Sequence, residues 1–145
     1  VAANYRFPTR HRVGVALAVL EGRYDSNADG KVDRDLDGRN IAPNRLNAFV
    51  EGPISERLSG RVQVSHLFDR EFDGGLPQFN FDGYTLVDAS VSYDAKQAGR
   101  FTLAVSNLFD EQYITYASDT QRPTDNTFYF AGQGRTFTLG WDYRF

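Results

Sequence analysis

The stretch Arg135 to Phe145, R-T-F-T-L-G-W-D-Y-R-F, constrains this chain more than any other. Phe137, Leu139, Trp141, Tyr143 and Phe145 alternate with Thr136, Thr138, Gly140, Asp142 and Arg144. A period of two puts one set on each face of an extended strand. One face is then apolar and ends in two aromatic rings, and the other is polar. In a soluble sheet the apolar face covers a core. In an outer-membrane barrel it faces lipid, with rings at the headgroup level and polar side chains toward the lumen. The rest of the chain decides between these two environments.

The same period recurs upstream. Asn4 to Phe7 reads as the tail of a strand, followed by a turn at Pro8-Thr9-Arg10, where proline presets the backbone angle. His11 to Tyr24 is expected as a strand with Val13, Val15, Leu17 and Val19 on one face and Gly14, Ala16 and Ala18 on the other. Further strands are expected over Arg45–Glu51, Ser59–Asp69, Tyr84–Asp94 and Arg100–Tyr116. In them Val62, Val64, His66 and Phe68 oppose Arg61, Gln63, Ser65 and Leu67. Val87, Ala89, Val91 and Tyr93 oppose Asp88, Ser90, Ser92 and Asp94, and Phe101, Leu103 and Val105 oppose Thr102, Ala104 and Ser106.

The connections alternate short and long. Pro8–Arg10, Gly52–Glu56 and Ala95–Gly99 are tight, whereas Asp25–Pro43, Arg70–Asp82 and Ala117–Asn126 are long, polar and without periodicity. An up-and-down barrel in an outer membrane gathers tight turns at one end and large loops at the other. A Greek-key sandwich scatters its long connections. Tyr93, Phe101, Tyr143 and Phe145 fall at the short-turn end, and Phe109, Tyr113, Tyr116, Phe128, Tyr129 and Phe130 toward the long-loop end. Two such groups suit two membrane interfaces. The fold class is therefore read as all-β, an antiparallel up-and-down transmembrane β-barrel segment of about six strands plus a stub.

Composition closes off other classes. A net charge of −3 argues against a nucleic-acid surface. The chain has no cysteine, hence no disulfide framework or thiol chemistry. There is no apolar run long enough for a transmembrane helix, and an overall hydrophilic average does not conflict with a barrel, because only alternate residues need be apolar. The start Val-Ala-Ala-Asn, without a signal peptide, and the lack of any methionine suggest a segment of a longer polypeptide. A processed mature domain is the alternative.

Catalysis has little support. There is no G-x-S-x-G, and His11 and His66 stand on different strands without ligand spacing. The chain is not expected to be an enzyme and requires no cofactor. Asp88, Asp94, Arg61, Arg100, Asp142 and Arg144 alternate inward, where they suit a hydrated, ion-paired wall. The metal-like constellation is D-S-N-A-D-G-K-V-D-R-D-L-D-G from Asp25 to Gly38. Asp25, Asn27, Asp29, Gly30 and Asp33 follow the first half of a calcium loop, and Asp33, Asp35, Asp37 and Gly38 repeat it. Leu36 stands where a helix-loop-helix site needs its bidentate glutamate, so the candidate is a Ca2+-stabilised outer loop rather than a helical hand. A solvated acidic loop is the plain alternative.

Three stretches resemble the carboxy-terminal end of a TonB-dependent outer-membrane receptor. They are Tyr84-Thr-Leu-Val-Asp-Ala-Ser-Val-Ser-Tyr93, Arg100 to Tyr113 with its Asn107-Leu108-Phe109-Asp110 element, and Gly134-Arg135 leading to Tyr143-Arg144-Phe145. Ala42-Pro43-Asn44-Arg45 to Phe49 is similar to a strand descending from a long outer loop of that family, so the resemblance covers most of the chain. It implies that residues 1–145 are the carboxy-terminal portion of a 22-stranded barrel in the Gram-negative outer membrane. Its plug domain and TonB box would lie outside this sequence. It further implies import of a scarce nutrient, most often a ferric siderophore, energised by the TonB complex. Partners are then the cargo, the plug of the same polypeptide, the TonB complex and lipid, with no nucleic acid. Cargo contact is expected from the outer loops. Phe72, Phe79, Phe81, Tyr116, Phe128 and Tyr129 could stack on a ligand, and Arg70 and Arg122 could attract an anionic chelate. Loops packed on themselves are the plain alternative for each. The competing classes are a self-contained calcium-stabilised outer-membrane barrel used for adhesion, and a secreted β protein that binds calcium or carbohydrate.

Overall fold

The computed structural model describes residues 1–36, 40–71, 80–120 and 129–143. The regular structure of the described residues is nearly all strand: β1 (Ala2–Arg6), β2 (Arg12–Ala18), β3 (Arg23–Tyr24), β4 (Arg34–Asp35), β5 (Arg45–Pro53), β6 (Leu58–Leu67), β7 (Tyr84–Asp94), β8 (Arg100–Ser106) and β9 (Thr136–Asp142). Among the described residues a 3₁₀ turn at Lys96–Ala98 and one short helix, α1 (Tyr116–Thr120), complete it.

Seven strands form one antiparallel sheet in the order β1-β2-β5-β6-β7-β8-β9. Each strand pairs with its neighbour along the main meander, and the two-residue strands β3 and β4 form a separate hairpin inside the first long loop. This is the expected six strands plus a stub, in up-and-down order. The sheet is open: β1 and β9 lie at opposite edges.

The register sorts the side chains by chemistry. One row across the sheet reads Val13, Val50, Val62, Ala89, Val105 and Phe137. The parallel row nearer the short turns reads Gly52, Gly60, Val91, Leu103 and Leu139. Between them, on the opposite face, runs Arg6, Arg12, Glu51, Arg61, Ser90, Ala104 and Thr138. Because directly paired residues share a face, a slip of one residue in any strand would mix these rows. The parity expected for β2, including its face of small residues, holds from Arg12 to Ala18.

Neither face carries a second layer. Among the described residues Phe81 is the one large apolar side chain that is buried, at 2% exposure, and it belongs to a loop. Leu139 is 77% exposed and Val15 47%. Leaving a large aliphatic side chain in water forgoes about 1.5–3 kcal/mol each. Over the whole apolar face that exceeds the roughly 5–15 kcal/mol by which a domain is stable. A domain buries such a face against another layer; here the face needs an apolar surrounding that the described residues do not supply.

Three expectations are corrected. The strand expected over His11–Tyr24 ends at Ala18, and Arg23–Tyr24 turns back to pair with Arg34–Asp35, so the first long loop is not wholly irregular. The strand expected over Arg100–Tyr116 stops at Ser106, because Asn107 and Asp110 take left-handed φ angles of 51° and 59°. Pro53 ends β5 rather than lying in the connection, which narrows to residues 54–57.

Candidate functional site

At the long-loop end the connections are tied to one another. Asn107, 3% exposed, is the central tie. Its Nδ2 donates to the carbonyls of Glu111 at 2.9 Å and Gln133 at 3.1 Å, and its Oδ1 accepts from the Glu111 N–H at 2.8 Å. Its own N–H donates to Asp88 Oδ1 on β7 at 2.9 Å. Asp110 Oδ1 accepts from the Arg135 N–H at 2.8 Å. Asn and Asp tolerate left-handed backbone better than other non-glycine residues, so this turn holds both ends of the last loop. Nearby, Tyr113 covers Gly132, where a Cβ would overlap its ring. The Gly132 N–H donates to the Tyr113 carbonyl at 2.8 Å.

Aromatic rings continue the tie. Tyr113 lies 4.3 Å from Tyr84, Tyr84 5.9 Å from Phe81, and Phe81 5.4 Å from Tyr116 by ring centroids. The Tyr116 hydroxyl donates to the Ile41 carbonyl at 2.7 Å. Arg70 pairs its backbone with Phe81 and donates from Nη1 to the Leu20 carbonyl at 2.7 Å. Asn44 accepts from the Leu20 N–H at 2.8 Å and its carbonyl accepts from Phe68. Three loops far apart in sequence thus share one polar and aromatic junction.

Of the expected cargo residues, Arg70, Phe81 and Tyr116 come together in this junction. Phe81 is covered by Tyr84 and Tyr116, so its faces are turned to the protein. Tyr129 is 45% exposed at the rim. Phe72, Phe79, Arg122 and Phe128 lie outside the described residues.

The acidic loop is organised by its own carboxylates. Asp25 accepts from the N–H groups of Gly30 at 2.7 Å, Asn27 at 3.1 Å and Asp29 at 3.3 Å. Asp33 accepts from the Ser26 hydroxyl at 2.7 Å and the Ser26 N–H at 2.9 Å. The Gly30 amide and its neighbours hold the Asp25 carboxyl below its ordinary range, and the Ser26 hydroxyl does so for Asp33. Asn27 Oδ1 accepts from Asp29, and Asp35 pairs with Arg23 at 3.2 Å. Among the described residues no group of three or more His, Asp or Glu side chains is disposed to hold a metal ion. Asp37 lies outside them.

The polar face holds a compact charged group. Glu51 accepts from Arg12 at 2.8 Å and from Arg61, and Arg61 also donates to Gln63 at 2.8 Å. Both guanidinium groups lie over the Phe49 ring, that of Arg61 at 4.2 Å and that of Arg12 at 5.2 Å from its centroid, and the ring covers Gly14. Nearer the short turns, Asp94, Arg100 and Asp142 stand opposite one another in register. Both histidines are packed rather than poised for chemistry. His66 bonds Thr85 at 2.8 Å and meets Phe68 edge-on, and His11 bonds Thr9 at 3.0 Å.

Sequence reasoning singled out Asn107 and Asp110 as a motif without seeing what they do. The signal was there: an Asn and an Asp three apart interrupt an otherwise regular strand period.

An open, single-layer, up-and-down sheet with one apolar and one charged face is the wall of a β-barrel, and its long loops are gathered and tied at one rim. The chain is similar to the vitamin B12 transporter BtuB of Vibrio vulnificus (strain YJ016), 28% identical over 128 residues. The match takes in 88% of this chain, and the chain spans 19% of the length of that relative. No family model and no solved structure matches it.

Proposed function

We propose that residues 1–145 form the carboxy-terminal part of the barrel of a TonB-dependent transporter in the Gram-negative outer membrane. The observation that carries this reading is the two-faced sheet without a core, combined with similarity along most of the chain to a transporter. In the bilayer the apolar rows face acyl chains, and the Arg12–Glu51–Arg61 face lines the lumen. The sheet edges at β1 and β9 then pair with strands elsewhere in a 22-stranded barrel. A plug in the same polypeptide and a TonB box complete the transport machinery. The chain has no catalytic role on this reading.

The cargo is a scarce small molecule that meets the rim of tied loops. A corrinoid is the first candidate, because the relative is named for vitamin B12. A ferric siderophore, the commonest cargo of the family, is the second. Arg70 and Tyr129 are the rim residues closest in character to an anionic or aromatic ligand.

The test is uptake by cells that lack their own B12 and siderophore receptors and express the full polypeptide. TonB-dependent accumulation of radiolabelled cyanocobalamin supports the corrinoid reading. Growth on one ferric siderophore under iron limitation moves the cargo to that class. No TonB-dependent uptake of any small cargo would sink the transport reading.

A further inference from the structure

The apolar face is not uniformly filled. Gly52 of β5 stands directly opposite Gly60 of β6, so two adjacent strands lack side chains at the same level. Ala89 of β7 adds a third small residue beside them. The result is an almost wholly apolar groove of about 360 Å³, walled by Val50, Val62, Val91, Leu103 and Val105. Ile54 overhangs it: a Cβ on Gly60 would come 2.9 Å from Ile54 Cδ1. The His11 ring lies over Gly52 at the other side.

The depth of the groove follows from the rings beside it. One row nearer the short turns, Leu58, Tyr93, Phe101 and Trp141 pair across the sheet. Phe101 and Trp141 stack at 6.2 Å with planes 10° apart, and the indole N–H donates to the Ala98 carbonyl at 2.8 Å. Such pinned rings sit at the headgroup level of a bilayer. Two residues along a strand span about 7 Å, so the groove opens where the glycerol and first methylenes of a lipid lie. It is also continuous with the apolar rows above it.

We propose that this groove seats one acyl chain of a phospholipid from the leaflet at the short-turn end, as a specific site rather than bulk solvation. The inference rests on the membrane-barrel reading above. The paired glycines let the His11 ring and the Ile54 side chain settle close to the backbone, and these two bound laterally the hollow between the valines and Leu103 in which the acyl chain lies. Filling the groove from either strand removes the site while adding apolar surface to a bilayer-facing wall, so the barrel still assembles.

The test uses the full receptor, delipidated in mild detergent and titrated with dioleoylphosphatidylethanolamine, with adducts counted by native mass spectrometry. Wild type is expected to hold one lipid more tightly than the rest. Gly60→Leu and Ala89→Leu each weaken that first lipid about fivefold or more, on the order of one to two buried methylenes. Equal retention by wild type and both variants overturns the proposal. So does retention of lipopolysaccharide or of a second protein chain in place of phospholipid. Heat-shifted mobility on a gel is read in parallel. If wild type shows no heat shift, the membrane-barrel reading falls and the proposal with it. Heat-shifted proteins with unchanged lipid binding sink the lipid site alone.

Discussion

The hydroxyl of Tyr116 donates to the main-chain carbonyl of Ile41 at 2.7 Å, joining the last long loop to the first across 75 positions of sequence. Tyr116→Phe keeps the ring against Phe81 and deletes this one bond. The expected loss is about 1 kcal/mol, seen as faster proteolytic nicking within residues 19–44. Tyr116→Ala also empties the ring's place and should open the loop further. Equal nicking in wild type and both variants would show that the junction does not hold the loop.

Asn107 supports a second prediction. Asn107→Gly retains the left-handed backbone but removes the bonds to Glu111 and Gln133. Buried groups left unpaired cost about 1–3 kcal/mol each, so the heat-shift temperature of the receptor should fall. Asn107→Asp should be worse than Gly, because a carboxylate would face two carbonyls. A ranking with Asp nearer wild type than Gly would contradict the assigned bonds.

Tyr113 and Gly132 make a paired test. Gly132→Ala puts a methyl group into the Tyr113 ring and should destabilise the last loop by about 1–3 kcal/mol, the usual cost of overpacking. Adding Tyr113→Ala should recover part of that loss. Additive losses in the double variant would mean that the two residues do not touch.

The two faces predict opposite responses to the same substitution. Val91→Arg and Leu103→Arg place a charge on the bilayer side one row in from the headgroup rings, at a cost between the roughly 0–1 kcal/mol of the interface and the roughly 2–4 kcal/mol of the midplane, and should reduce heat-shifted, inserted receptor. Ser92→Arg and Thr102→Arg, one position along each strand, put the charge on the polar face and should insert. At present the Ser92 and Thr102 hydroxyls meet at 2.8 Å. Insertion of all four variants would contradict the face assignment, and failure of Ser92→Arg and Thr102→Arg alone would reverse it.

Acid should unfasten the Asp25 loop. The amide of Gly30, followed by its neighbours, depresses the folded-state pKa of Asp25, and the Ser26 hydroxyl depresses that of Asp33. Groups of this kind stabilise fully above their unfolded-state pKa, and the contribution disappears as pH falls through the lower folded-state value. Carbon-13 carboxyl titrations should therefore give midpoints below the ordinary aspartate range for both, with the β3–β4 hairpin signals fading over the same window. Midpoints at or above the ordinary range would contradict the bonding described.

Local alternation was enough to read the wall. The faces of Val13, Val62, Val91 and Leu103 follow from a period of two, and the meander follows from alternating short and long connections. The rim was not legible in the same way. Phe81 reads as an exposed loop aromatic because Tyr116, which with Tyr84 encloses it, lies far along the chain in another loop. The bond from Arg70 to the Leu20 carbonyl is equally hidden, because the two lie fifty positions apart. The β3–β4 hairpin escaped for another reason: its two-residue strands are too short to show a period, and the turn that closes it is built from side-chain carboxylates.

The alternation of connection lengths also bears on how the wall can be assembled. Three hairpins, β1–β2, β5–β6 and β7–β8, close over only a few residues. The joints between them, β2–β5, β6–β7 and β8–β9, close over much longer stretches. Each doubling of a flexible loop adds about 0.6 kcal/mol of closure entropy, and distant contacts form more slowly than near ones. The hairpin is therefore the natural unit of addition, three ready-made tiles with one strand left over. The ties at Asn107 and Tyr116 are the grout that fixes tiles whose connections alone would let them drift.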